Sequence, residues 1–214
     1  MHQSVKNLIS IKKELESISN KLPSIIAVSK TFSISNILPL IEYGHVHFGE
    51  NKVQEALEKW KNIKEQFSQI KLHMVGKLQT NKVKFALPLF DYIHSLDNEK
   101  LAKKIASEQT KYVKKPKIFI QVNIGDENQK SGIDKNDLKN FYNYCNELNL
   151  DIIGLMCIPP VDVKTDVFFK EMSFLKNNLS LPDLSMGMSS DYLDATKNFS
   201  TYIRIGSKIF GERS

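Results

Sequence analysis

What this chain lacks narrows its class before any motif is read. It has two cysteines in 214 residues, Cys145 and Cys157, with no Cys-x-x-Cys spacing. No disulfide framework is therefore indicated, and a reducing compartment is the simpler setting. Proline and glycine do not gather into a linker-like stretch, so no domain boundary stands out. No apolar run approaches the ~20 residues that span a bilayer. The N-terminal MHQSVKNLISIKKELESI is amphipathic and charged throughout, unlike a secretory signal, and a cytoplasmic protein without membrane contact is expected. Gly-x-Gly-x-x-Gly, a Walker phosphate loop and Gly-x-Ser-x-Gly are also missing, which removes the commonest nucleotide-binding and serine-hydrolase readings.

What is present is ordinary in proportion: 41% hydrophobic and 25% charged residues, with a formal net charge of +6. This length and composition fit one globular domain over residues 1–214. The lysines are dispersed through nearly every segment, as on a solvated surface, so no nucleic-acid partner is expected. An anionic small ligand such as a phosphate fits the same charge.

Short β-branched apolar runs alternate with segments of helical periodicity along the whole chain. Strands are expected at 25–30, 45–49, 72–76, 92–96, 117–124, 152–158, 184–189 and 202–205. Helices are expected at 52–67, 99–113, 135–148 and 167–178, with shorter ones after the first, third and seventh strands. Runs such as those at 118–124 and 152–158 are apolar without strict alternation, as in parallel strands covered on both faces. About eight βα units favour an α/β (β/α)8 barrel, the TIM-barrel architecture. The alternative, a flavodoxin-like open sheet, uses about five strands and leaves the others unplaced.

In such a barrel the loops after the strands converge on one mouth. Lys30 closes the first predicted strand, and Glu50 and Asn51 follow the second. Ser185 lies on the seventh, and Arg204, Gly206 and Ser207 end the eighth. An amine at the tip of a buried strand loses ammonium character as it loses water, and the neutral form adds to an aldehyde to make a Schiff base. A lysine merely snorkelling from the strand end explains the local sequence as well. Gly206 and Ser207 offer close backbone approach, N–H donors and a hydroxyl, which suits a phosphate. Leu184-Ser-Met-Gly-Met-Ser-Ser-Asp supplies a second Gly/Ser-rich strand exit beside it.

Arg204 alternates with Ile203 and Ile205 and so faces the other way, toward a ligand ring or carboxylate, or toward an acidic neighbour such as Glu50. His45 and His47 share a strand face, but no carboxylate or cysteine falls at a ligand spacing. His73 and His94 fit packing, and no metal is expected.

Six segments taken together, Ala27-Val-Ser-Lys-Thr, Phe48-Gly-Glu-Asn-Lys-Val-Gln-Glu, His73-Met-Val-Gly-Lys-Leu-Gln-Thr-Asn-Lys, Gly154-Leu-Met-Cys-Ile, Leu184-Ser-Met-Gly-Met-Ser-Ser-Asp and Arg204-Ile-Gly-Ser-Lys-Ile-Phe-Gly-Glu-Arg, resemble the YggS/PROSC family of pyridoxal 5′-phosphate (PLP) homeostasis proteins. The resemblance spans almost the whole chain in order. It implies a barrel like the alanine racemase N-terminal domain, with PLP attached to Lys30. It also implies that Ser185, Gly206 and Ser207 hold the phosphate, that Arg204 lies near the pyridine nitrogen, and that Asn51 is close to the cofactor. Ser207 stands where the family often has Thr, which keeps the hydroxyl. Phe32 and Lys77 stand where Lys and Pro are frequent.

A guanidinium beside the pyridine nitrogen discourages its protonation and makes PLP a poorer electron sink. The chain ends directly after the eighth predicted unit, so a second domain carrying a tyrosine base, as in alanine racemase, is not expected. These features point to a PLP carrier that sequesters the cofactor or delivers it to PLP-dependent apoenzymes. It is expected to be a monomer and not an enzyme. The rival reading is a low-activity PLP-dependent amino-acid racemase or related enzyme.

Overall fold

The computed structural model describes residues 1–127, 131–161 and 163–212. Its first element is α1 (Gln3–Glu16), whose Val5, Leu8, Ile11 and Leu15 are buried along one helical stripe. Eight strands follow: β1 (Ser24–Val28), β2 (His47–Glu50), β3 (Lys71–Met74), β4 (Tyr92–Leu96), β5 (Lys117–Val122), β6 (Ile152–Cys157), β7 (Asp183–Ser185) and β8 (Tyr202–Ile205). They pair in sequence order into a closed barrel. Closure is explicit, since β8 runs parallel to β1 with Ser24 opposite Tyr202 and Ala27 opposite Ile205. That pairing rules out the open flavodoxin-like sheet.

Helices cover the outside. These are α2 (Ile34–Glu42), α3 (Val53–Gln66), α4 (Val83–Ala86), α5 (Glu99–Gln109), α6 (Leu138–Glu147), α7 (Asp166–Asn178), α8 (Tyr192–Lys197) and α9 (Ser207–Phe210). The longer ones bury an apolar stripe. On α3, Val53, Ala56 and Trp60 are buried, and the Trp60 ring meets that of Phe48 on β2 at 4.9 Å. Strands so covered lie apolar on both faces, which is why β1 reads Ser-Ile-Ile-Ala-Val.

β1, β3, β5, β6 and β7 stop before the carboxyl ends that the sequence indicates, while β4 and β8 end as expected and β2 ends one residue later. β1 stops at Val28, and Lys30 stands two residues beyond it in a turn closed by Phe32 N–H donating to Ser29 O at 3.2 Å. β7 stops at Ser185, because Gly187 takes φ +92°, which extended backbone does not allow. His45 lies before β2, so it and His47 do not share a strand.

Candidate cofactor site

The carboxyl ends of the strands open onto a cavity of about 540 Å³. Five of the six residues singled out from sequence line it: Lys30 after β1, Asn51 after β2, Arg204 on β8, and Gly206 and Ser207 after it. Val28, Phe32, Val75, Ile158, Met188, Ser189 and Ser190 complete most of the wall. A second cavity of about 390 Å³, lined in part by Lys77, Gln121 and Asn123, shares Asn51, Val75 and Ile158 with the first.

Lys30 is held through both of its neighbours. Ser29 is buried, and its hydroxyl donates to Glu50 Oε1 at 2.7 Å while its carbonyl accepts from Lys59 Nζ at 2.9 Å. On the other side, Thr31 N–H donates to Glu55 Oε1 at 2.6 Å. Thr31 has φ +69°, uncommon for a β-branched residue, and strain of this kind persists only where surrounding bonds dictate it. Lys59 joins the two sides by also donating to Glu50 Oε1 at 2.9 Å and Glu55 Oε1 at 3.0 Å. Trp60 Nε1–H reaches the same Glu50 oxygen at 2.9 Å.

The adjoining wall is built from the loops after β7 and β8, β8 being the neighbour of β1 in the closed barrel. Gly187 bends the first loop, and Asp191 Oδ1 accepts from Met188 N–H at 2.6 Å, presenting Ser189 and Ser190. Burial pushes the Asp191 carboxyl above its ordinary range, against the pull of that N–H and of Arg204. Gly206 caps α9, and Ser207 is its first residue. The first N–H groups of a helix lack acceptors within it and face outward.

Arg204 is 5% exposed, and its Nη1 donates to Ser185 Oγ and its Nη2 to Cys157 O, both at 2.8 Å. Burial lowers its basicity from the ordinary guanidinium value. The acidic neighbour weighed from sequence, Glu50, is occupied by Ser29, Lys59 and Trp60 instead.

Ser185 sits apart from the mouth. Its hydroxyl is completely buried inside the barrel, bonded to Arg204 and to His94 Nδ1 at 2.8 Å, and does not line the cavity. The resemblance set it among the phosphate ligands, but the serines that β7 sends to the cavity are Ser189 and Ser190. Phe32 lines the wall and stacks on Phe210, centroids 4.9 Å apart. Lys59, within α3 and not at a strand end, gave no sequence signal for its contact beside Lys30. Among the described residues, no His, Cys, Asp and Glu are grouped to hold a metal ion.

One cavity gathers an amine, a guanidinium, serine hydroxyls and loop N–H groups, the donors that an anionic aldehyde calls for. A closed parallel eight-stranded barrel with this mouth defines the class, that of the alanine racemase N-terminal domain, whose family matches residues 7–214. The pyridoxal phosphate homeostasis protein of Aquifex aeolicus is 37% identical over 199 residues, 88% of this chain and 86% of the relative. That of Pasteurella multocida is 35% identical, covering 100% of this chain and 94% of the relative. The structure of PipY from Synechococcus elongatus with PLP bound superposes with a TM-score of 0.89 at 32% identity, covering 98% of this chain and all of that one. The chain belongs to the family of pyridoxal phosphate homeostasis proteins. Among the described residues no helix is long and apolar enough to cross a membrane.

Proposed function

We propose that this chain binds PLP at the barrel mouth, with Lys30 as the Schiff-base lysine, and serves as a cytoplasmic, monomeric carrier that sequesters or delivers the cofactor to PLP-dependent apoenzymes. The observation that carries this reading is the meeting of Lys30 with Gly206, Ser207 and Arg204 around one cavity. The PLP-bound relative of the same fold supports it.

Each residue has a defined task. Lys30 would hold PLP through Nζ, the aldehyde supplying the carbon of a C=N bond and its oxygen leaving as water with the two amine hydrogens. Glu50, Glu55 and Lys59 fix the backbone on both sides of that lysine. The loops carrying Ser189, Ser190, Gly206 and Ser207 offer hydroxyls and N–H groups to the phosphate, with Ser185 serving Arg204 instead. Asn51, directly after β2, lines the same cavity and would border the ring.

Bound PLP supplies an electrophilic carbon and a ring that withdraws electrons best when its nitrogen is protonated. Arg204 would oppose that protonation with the ring nitrogen beside it, since two close cations repel, and among the described residues its hydrogen bonds go to Ser185 Oγ and Cys157 O rather than to a carboxylate. Holding is thereby favoured over turnover.

The test is a titration of dialysed protein with PLP, followed by visible absorbance and competed with inorganic phosphate. A saturable band weakened by phosphate is expected, and its absence overturns the reading. Turnover of an amino-acid panel above about 1 s⁻¹, within the ordinary enzyme range, overturns the carrier part and favours the racemase alternative.

A further inference from the structure

Three histidines outside the cavity lining, His47 half-buried and His73 and His94 buried, form a continuous chain ending on Arg204. His47 Nδ1 lies 2.9 Å from His73 Nε2, and His73 Nδ1 lies 2.9 Å from His94 Nε2. His94 Nδ1 lies 2.8 Å from Ser185 Oγ, which accepts from Arg204. The chain runs from β2 through β3 and β4 and crosses the barrel to β7 and β8. His73 and His94 are wholly buried, stacked on Tyr92 at 4.2 Å and on Phe119 at 4.3 Å.

The chain has a direction, and Arg204 sets it. A guanidinium only donates. Ser185 Oγ therefore accepts from it, and the single Ser185 proton has one remaining neighbour, His94 Nδ1. With Nδ1 accepting, His94 carries its proton on Nε2 and donates to His73 Nδ1. His73 then donates through Nε2 to His47 Nδ1 in the same sense. Burial pushes all three imidazoles below their ordinary basicity, which keeps them neutral as this pattern requires. Every lone pair in the row points toward Arg204.

We propose that His94 and His73, acting through Ser185, are positioning residues that hold Arg204 at the floor of the cofactor cavity with neutral acceptors in place of a carboxylate. A carboxylate there would cancel the guanidinium charge. Ser185 Oγ, at the end of a row of neutral dipoles, accepts from Nη1 while the Cys157 carbonyl accepts from Nη2, and the charge is left directed at the ring site. This role rests on the PLP reading, but the hydrogen-bond pattern does not.

Nitrogen NMR of isotopically labelled histidine, recorded at neutral pH without PLP, reads the pattern directly. Neutral Nε2–H forms at His47, His73 and His94 are expected, and an Nδ1–H form or a cation at His73 or His94 overturns the proposal. Function is read with His94→Leu, which removes the acceptor, and His94→Asn, which keeps a side-chain oxygen near the Nδ1 position. In His94→Leu, PLP affinity falls about tenfold and the pH midpoint of the PLP absorbance band moves, while His94→Asn stays within about twofold of the parent. A folded His94→Leu that binds and titrates like the parent, or a His94→Asn no better than His94→Leu, contradicts the role. A parent protein with no PLP band sinks the cofactor reading alone, since the nitrogen spectra report on the chain without it.

Discussion

The ammonium of Lys59 lies 2.9 Å from the carboxylate of Glu50, and the two side chains are 9% and 0% exposed. Removing one member of a buried pair leaves the other uncompensated, which costs roughly 3–5 kcal/mol. Lys59→Met is expected to lose stability in that range on urea unfolding. It should also loosen the Ser29 carbonyl beside Lys30. Stability within about 1 kcal/mol of the parent contradicts the clamp.

Gly187 makes the turn after β7 at φ +92°, and a Cβ there would lie 2.5 Å from Ala195 Cβ. Gly187→Ala meets both backbone strain and a contact within the packed α8. A loss of about 1–3 kcal/mol is expected, together with weaker PLP binding as Ser189 and Ser190 shift. Parent-like melting and binding would show that the loop does not depend on this glycine.

Ser207 is exposed at the first position of α9, so a substitution there leaves the core alone. Ser207→Glu sets a carboxylate where the phosphate is proposed to lie. Stability should stay within about 0.5 kcal/mol, while PLP affinity falls about tenfold or more. Unchanged affinity moves the phosphate site elsewhere.

Acid should destabilise the fold through histidines. His45 is pushed down to about 4 from 6.5, chiefly by burial, so between those values the unfolded chain binds a proton that the native one refuses. Stability is full above the unfolded value and is lost as pH falls from about 6.5 to about 4. The loss from His45 alone is about 3 kcal/mol, and His73 and His94, pushed down in the same direction by burial, add to it. Unfolding free energies that stay level from pH 7 to pH 5, measured by denaturant titration, would contradict this, as burial of neutral histidine requires a fall.

The barrel was legible in the sequence because parallel strands covered on both faces leave unbroken apolar runs, as in β1 and β6. The mouth was legible where polar residues follow such runs, as with Lys30, Asn51, Gly206 and Ser207. Some strand ends were not, because Gly187 turns the backbone inside the segment read as the seventh strand and the Ser29–Phe32 turn ends β1 before Lys30. The inward commitment of Ser185 was hidden for the same reason. The histidine chain depends on how β2, β3 and β4 stagger and on what β7 brings across the barrel, and neither stagger nor crossing is written in residue spacing. Lys59 reaches the Lys30 turn from a covering helix, a contact that strand-end reasoning does not inspect.

The most direct test is chemical. PLP-loaded protein is reduced with borohydride, digested and mapped by mass spectrometry, alongside Lys30→Ala treated identically. The label should fall on Lys30 in the parent, and the variant should carry none while still binding PLP more weakly through its phosphate contacts. A label on Lys77, Lys208 or any other lysine of the parent, or an undiminished label in Lys30→Ala, would contradict the assignment.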